Sequence, residues 1–554
     1  MKKKLFKTLI CALLTAAVLC LATGCAIFNF FKSDGKAFAE HTYVNCDDFK
    51  FNYTQDEFDA YLETISDTYD AAINPKTSNL KFSLLITDLT MHRLRLVDSY
   101  HLARILYYAD TTNQENYQAF IDIDTKYNTS TNEFNKLYEV VYKSPFKEDF
   151  YGEMTDEEIE ELIRYRAPSD EKVALNNQIT DIQTRFNALS RAEKLSPAFD
   201  GYYKELIDAQ NALAVLNNFE SFNEESYAVT YARDYTPQDT LYYTQLIKDE
   251  LFDSIQSAVT SYNGLLGSIS ESQMSEYNAL LNTPFYTAEG KAILDGFYKT
   301  LGTEIYDAYT QLINEGYYYI AHSENAYQGA FTSYFSSISA PYMYFSASNP
   351  YYVSVNTFVH EFGHYLNFYF AGSNGDATYE LMETHSQGAE WLFAAYLEDK
   401  VEKAGYDYII GNKLQSDGYT IILSSLVGAF EVHAYKNPLE DGKTYDDLMI
   451  SIKNDVYGSG TLEGLFTGVM SPETYFRLVT IPNPSYYISY SVSLISSLEL
   501  YALATNDYAN AVDVYTKLLK MQNGYVESLN EVGLSSPFET ETYELISQVF
   551  SFLD

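Results

Sequence analysis

His360-Glu361-Phe362-Gly363-His364 sits in an apolar segment, residues 353–370. Phe358, Val359, Phe362, Tyr365, Leu366, Tyr369 and Phe370 recur at helical spacing. Asn349 suits an N-cap and Pro350 a first helical position, and Gly372 suits a stop. Residues four apart on a helix share a face, so His360 and His364 present two imidazoles to one side. Two imidazoles at that spacing bind one metal ion, and Glu361 then stands beside it as a carboxylate able to take a proton from water. A mid-helix glycine and a buried glutamate would both weaken an ordinary core helix, which favours a site over plain packing.

A zinc site of this kind needs a third protein ligand. The stretch from Tyr379 to Trp391 contains Glu380, Glu383 and Glu390 and reads as a second helix running to about Lys400. The three carboxylates are one and two turns apart, close to one face. One of them is expected to bind metal, and the others to orient the histidines or to lie on a solvated face. His385 points away from Glu383 on such a helix and reads as pocket lining or as a satisfied histidine.

With these motifs in view the chain resembles the M3 metallopeptidases, the thimet oligopeptidase and oligoendopeptidase F group. The resemblance rests on His360-Glu361-Phe362-Gly363-His364 followed by Glu383-Thr384-His385-Ser386-Gln387 and Glu390-Trp391, and spans about residues 201–501. It implies one zinc per chain held by His360, His364 and Glu383, with Glu361 as general base and Glu390 and Glu380 as orienting partners. Pro341, Tyr342, Met343, Tyr344 and Phe345 resemble a strand whose exposed edge pairs with substrate backbone. These five residues, with His385, are the expected substrate contacts. Pro484-Ser485-Tyr486-Tyr487-Ile488-Ser489-Tyr490 resembles the tyrosine-rich segment that faces the scissile bond, which makes Tyr487 and Tyr490 catalytic candidates. Phe430-Glu431-Val432-His433 resembles the segment after the third ligand. This chain has no histidine between His433 and its C-terminus, where many members carry one, so stabilisation of the transition state is expected to rest on tyrosine.

At the N-terminus, Lys2, Lys3, Lys4 and Lys7 precede an apolar run and then Ala22-Thr23-Gly24-Cys25. This resembles a bacterial lipoprotein signal, with cleavage before Cys25 and lipid on its thiol. The protein is therefore expected on the outer face of a bacterial membrane. Of the four cysteines, Cys11 and Cys20 leave with the signal, so Cys46 is left without an internal partner. The net charge is −40 over the whole chain, and more negative still once the signal's lysines are gone. Such a surface repels nucleic acid and anionic lipid.

The remaining pattern is mainly helical. Helices are predicted at 56–74, 82–109, 132–142, 169–192, 242–262 and 288–319, and a strand over 331–345. The pattern alone gives a mainly α chain with a small sheet, and the resemblance implies a zincin-like fold of the gluzincin type, with two helical halves around a deep substrate cleft and the small β-sheet near the zinc helix. The expected organisation is a signal peptide at 1–24, a tether at 25–50, an N-terminal helical domain at 51–200 and a zinc metallopeptidase domain at 201–554. The expected activity is hydrolysis of short unfolded peptides by a monomer. A metallocarboxypeptidase of related fold and a non-catalytic peptide-binding lipoprotein are the alternatives.

Overall fold

The computed structural model describes residues 53–553, apart from 153, 167–168, 272, 275–281, 374, 376, 464 and 467–468. The signal, the tether, Cys25 and Cys46 lie outside the described residues. No helix among the described residues is long and apolar enough to cross a membrane.

The described residues open with three long helices, α1 (Gln55–Ile73), α2 (Asn79–Ala109) and α3 (Gln114–Tyr142), each started by a capping side chain. Thr54 and Glu57 form a reciprocal capping box on α1. The apolar residues of these helices close a first core, from Tyr61 to Ile159. Prediction placed the start of α3 at 132, because its polar first half, from Gln114 onward, hides its helical character. A second and larger core begins at Ile182 and Phe186 on α4 (Asp170–Asn187) and continues through α5 (Ala198–Leu216).

The predicted helix at 288–319 is two helices, α6 (Ala288–Thr300) and α7 (Thr303–Glu315), followed by a strand. Gly302, at φ +91°, breaks them apart. The predicted strand over 331–345 is a hairpin. β1 (Tyr318–Ala321), β2 (Ala330–Phe335) and β3 (Ala340–Ser346) form one sheet in the order β1-β3-β2. β3 runs parallel to β1 and antiparallel to β2. Pro341, Tyr342, Met343, Tyr344 and Phe345 therefore occupy the central strand, and the expected exposed edge is not there. Their unbroken apolar run is the mark of a strand buried on both faces. Pro341 is tolerated because pairing with β1 begins only at Met343. The register directs Phe331, Ser333 and Phe335 into the β3 ladder, so the N–H and C=O groups of Ala330, Thr332 and Tyr334 face the outer edge of β2.

The first helical unit is fastened to this sheet by the C-terminal part of α2. Asp98 accepts both turn amides, Ser336 and Ser337, at 2.8 Å. Arg104 donates to Ser333 at 2.9 Å and lies over the Phe331 ring.

Asn349 and Pro350 start a single 3₁₀ turn, Pro350–Val353. Ser354 then caps α8 (Val355–Ala371), which ends at Gly372 in the left-handed conformation. α9 (Tyr379–Tyr396) returns across it, and α10 (Lys403–Lys436) and α11 (Ile488–Asn506) complete the bundle. α9 packs against both α8 and α11. A Cβ on Gly363 would stand 2.5 Å from Ser386 Cα and 2.6 Å from the His385 carbonyl oxygen, so only glycine lets α8 and α9 come this close. Gly363→Ala is expected to cost about 1–3 kcal/mol by overpacking, seen as a lower melting temperature. Gly201→Ala, on the open face of α5 with nothing within 4 Å, should leave melting unchanged or raise it.

Candidate metal centre

α8 turns His360, Glu361 and His364 toward α9, and α9 supplies Glu383. Among the described residues, these two histidines and Glu383 form the only group of three or more potential ligands, with donor atoms all within 4.8 Å of one another. Glu383 Oε2 lies 3.9 Å from Nε2 of both His360 and His364. That separation is too long for a hydrogen bond. It suits three donors around one ion, because zinc bonds of about 2.0–2.2 Å leave ligand atoms roughly 3–4 Å apart. The donor set of two imidazoles and one carboxylate is also the chemistry zinc takes in hydrolytic sites.

The surroundings shift the titration of each of these groups. His360 is buried, which alone would favour the neutral ring, but the hydrogen bond and charge of Glu390, with Glu383 and Glu361 nearby, push it up to about 9. Burial, then the charge of His360, hold His364 well below its usual value. Burial raises Glu383, partly offset by His360 and by hydrogen bonds from Tyr486 and Ser386. Glu361 is pushed up to about 7 by burial, against the opposing pull of His360 and Thr332. The Thr332 hydroxyl, on β2, stands 3.0 Å from Glu361 Oε2.

Glu390 faces His360. Its Oε1 lies 2.6 Å from His360 Nδ1, which leaves Nε2 to face Glu383. Its Oε2 accepts from Lys413 at 2.8 Å. Lys413 also pairs with Asp417 at 3.1 Å, and Asp417 accepts from the Trp391 indole at 3.0 Å. Burial would raise Glu390, but Lys413 and His360 hold it at about 2. Lys413 carried no recognisable motif. It lies in a polar stretch of α10, between Asn412 and Gln415, where nothing in the sequence marks it as buried.

Glu380 lies away from the histidines. It accepts from Arg233 at 2.6 Å, and from Tyr235 and Ser489 at 2.8 Å each. One helical turn carries it past the site toward the segment before Pro237. His385 is not a substrate contact either. It is fully buried, its Nε2 is 3.0 Å from the Leu518 carbonyl, and burial lowers it to about 4. Met343 and Phe345 belong to the main core, and Tyr342 and Tyr344 pack beneath α2. Tyr342 and Tyr344 donate to the carbonyls of Tyr318 and Tyr108.

In the tyrosine-rich segment, Tyr487 precedes the first residue of α11 and packs edge-on against Tyr475 and Tyr486 and at a tilt against Tyr490. Tyr486 is the residue that reaches the centre. Its hydroxyl donates to Glu383 Oε1 at 2.7 Å and lies 3.3 Å from the Tyr490 hydroxyl. The resemblance pointed to Tyr487 and Tyr490, whereas Tyr486, two residues before the helix begins at Ile488, is the one whose hydroxyl meets Glu383.

Two outcomes follow from these contacts. Lys413→Met removes the charge that holds Glu390 on His360, and zinc affinity in chelator competition should fall about 10- to 100-fold. Glu431 has a folded value raised to about 8, mainly by burial, against an ordinary 4.5. Its contribution to stability is complete below about 4.5 and is lost as pH rises through 8. Glu431→Gln should therefore gain melting temperature relative to wild type between pH 5 and 9; parallel curves would show that Glu431 does not titrate this way.

No family model matches the chain, and no curated protein matches it in sequence. Solved structures do match in fold. PZ peptidase A with an inhibitor superposes with a TM-score of 0.67 at 15% identity, covering 93% of this chain and 99% of that one. A Bacillus anthracis chain described as an oligoendopeptidase F gives 0.63 at 16%, covering 94% and 98%. Oligoendopeptidase F from Enterococcus faecium gives 0.55 at 14%, covering 91% and 98%. Over nearly its whole length, this chain has the mainly helical fold of these M3-type peptidases.

Proposed function

We propose that this protein is a zinc-dependent endopeptidase that hydrolyses short, unfolded peptides and is tethered by a lipid on Cys25 to the outer face of a bacterial membrane. The observation that carries the peptidase reading is the convergence of His360, His364 and Glu383 with a buried, near-neutral Glu361 beside them. The peptidase names of the structures sharing the fold support the same reaction class.

Zinc bound by the three side chains would supply Lewis acidity toward water and the scissile carbonyl. Glu361 takes the proton of the attacking water and passes it to the leaving nitrogen. Thr332 holds one Glu361 oxygen and leaves Oε1 for that transfer. A group that titrates near neutral pH is suited to accept and release a proton in one cycle. The outer edge of β2 runs past the same glutamate, so backbone pairing with Ala330, Thr332 and Tyr334 would lay an extended peptide beside it. Such pairing reads main chain more than side chain, which favours selection by extendedness. Tyr490, whose hydroxyl stands near that of Tyr486, is the tyrosine best placed to donate to the developing oxyanion.

Purified protein should contain about one zinc per chain and cleave a fluorogenic peptide blocked at its C-terminus. Glu361→Gln should keep the metal and lose activity by about 100-fold or more. Zinc with no cleavage by wild type would favour a peptide-binding lipoprotein. Release of single C-terminal residues only, with blocked peptides untouched, would favour a carboxypeptidase.

A further inference from the structure

Two of the four described non-glycine residues with positive φ lie around one buried cluster. Ala232 (φ +49°) precedes Arg233, and Ser485 (φ +61°) precedes Tyr486. Backbone held in this region persists only where the surroundings enforce it. Here the enforcement is visible. The Ser485 amide donates to Glu431 Oε1 at 2.7 Å, and its hydroxyl lies on Asn223 Oδ1 at 2.9 Å. Its carbonyl accepts from Arg233 at 2.8 Å. Asn223 is itself fixed, through Nδ2, to the Glu431 carbonyl at 2.8 Å. Tyr231 donates to the Pro484 carbonyl at 2.7 Å. Arg233 also binds Glu380, one turn before Glu383 on α9. A single buried cation thus ties the turn before Tyr486 to the helix that carries the third ligand.

We propose that Tyr486 is a positioning residue that keeps Oε2 of Glu383 aimed between the two imidazoles, and that Asn223, Arg233 and Glu431 hold Tyr486 in place by gripping the Ser485 turn. The two oxygens of Glu383 are already divided. Oε1 accepts from Tyr486, and Oε2 faces both imidazoles with the Ser386 hydroxyl 3.3 Å from it. A hydrogen bond on Oε1 fixes the rotation of the carboxylate, so Oε2 stays presented to the space between the imidazoles. The hydroxyl acts through Glu383 and touches no reacting atom in this role. The grip explains why a serine occupies a left-handed position: each polar group of Ser485 has a partner that a relaxed turn would lose.

This inference rests on the metal-centre reading above, and the test separates the two. Zinc affinity of the full chain is measured by chelator competition for wild type, Tyr486→Phe, Asn223→Ala and the double variant, with the melting temperature of each zinc-free protein recorded alongside. Tyr486→Phe is expected to weaken zinc about 10- to 100-fold. Asn223→Ala should weaken it in the wild-type background and add nothing to Tyr486→Phe. A purely structural Asn223 would lower melting equally in both backgrounds and leave zinc affinity unmoved, which overturns the grip. If Asn223→Ala does not fold, Ser485→Gly replaces it, since glycine suits the turn and loses only the bond to Asn223. Zinc binding by wild type with unchanged affinity in Tyr486→Phe overturns this inference alone. Wild type that binds no zinc overturns the metal-centre reading and this inference with it.

Discussion

Gly363 lets α9 pass in contact with the backbone of α8, and the candidate centre exists because of that approach. His360 and His364 belong to one helix and Glu383 to the other, so their separation is set by how near the two axes run. A methyl group at 363 would meet main chain, which cannot swing aside as a side-chain tip can. The usual cost of glycine in a helix is accepted here at the crossing that brings three donors within reach of one ion.

Burying so many ionisable groups requires that each have a partner. Glu390 and Asp417 share Lys413, while Glu380 answers Arg233. Unpaired burial would be expensive, since an uncompensated charge in the interior costs several kcal/mol. Glu431 has no such partner and is raised by burial instead, while His360, His364, Glu383 and Glu361 are gathered at the candidate centre. The two cationic side chains also link helices distant in sequence, so the same charges that settle the electrostatics fix the geometry.

Much of this was readable in the sequence. The five residues from His360 to His364 already imply a helix, a face and a chemistry, and Gly372 ends that helix as its position suggests. Glu383 could be singled out only through resemblance, because helical spacing leaves Glu380, Glu383 and Glu390 equivalent, and packing separates them. The strand was legible as strand, but its neighbours were not. An apolar run such as Pro341 to Phe345 announces burial without saying which strands flank it, and the expected edge proved to be the centre. Tyr486 was hidden because the start of α11 depends on the Ser485 turn, and that turn depends on Asn223 and Glu431, hundreds and tens of residues away. Lys413 and Arg233 show the same limit: a buried charge looks like a solvated one until its partner is placed.

The attachment of α2 to the sheet has a mechanical consequence. Asp98 and Arg104 seize β2 and its turn from one side, while Thr332 touches Glu361 from the other. Neighbouring residues of one short strand thus face two different parts of the protein. The first helical unit cannot swing as a free lid about this contact without dragging β2 across α8, which carries the two candidate imidazole ligands. Any pivot that spares the alignment of Glu361 has to lie elsewhere, within the helices themselves or in the connections that follow α3, with α2 and the sheet travelling as one lever.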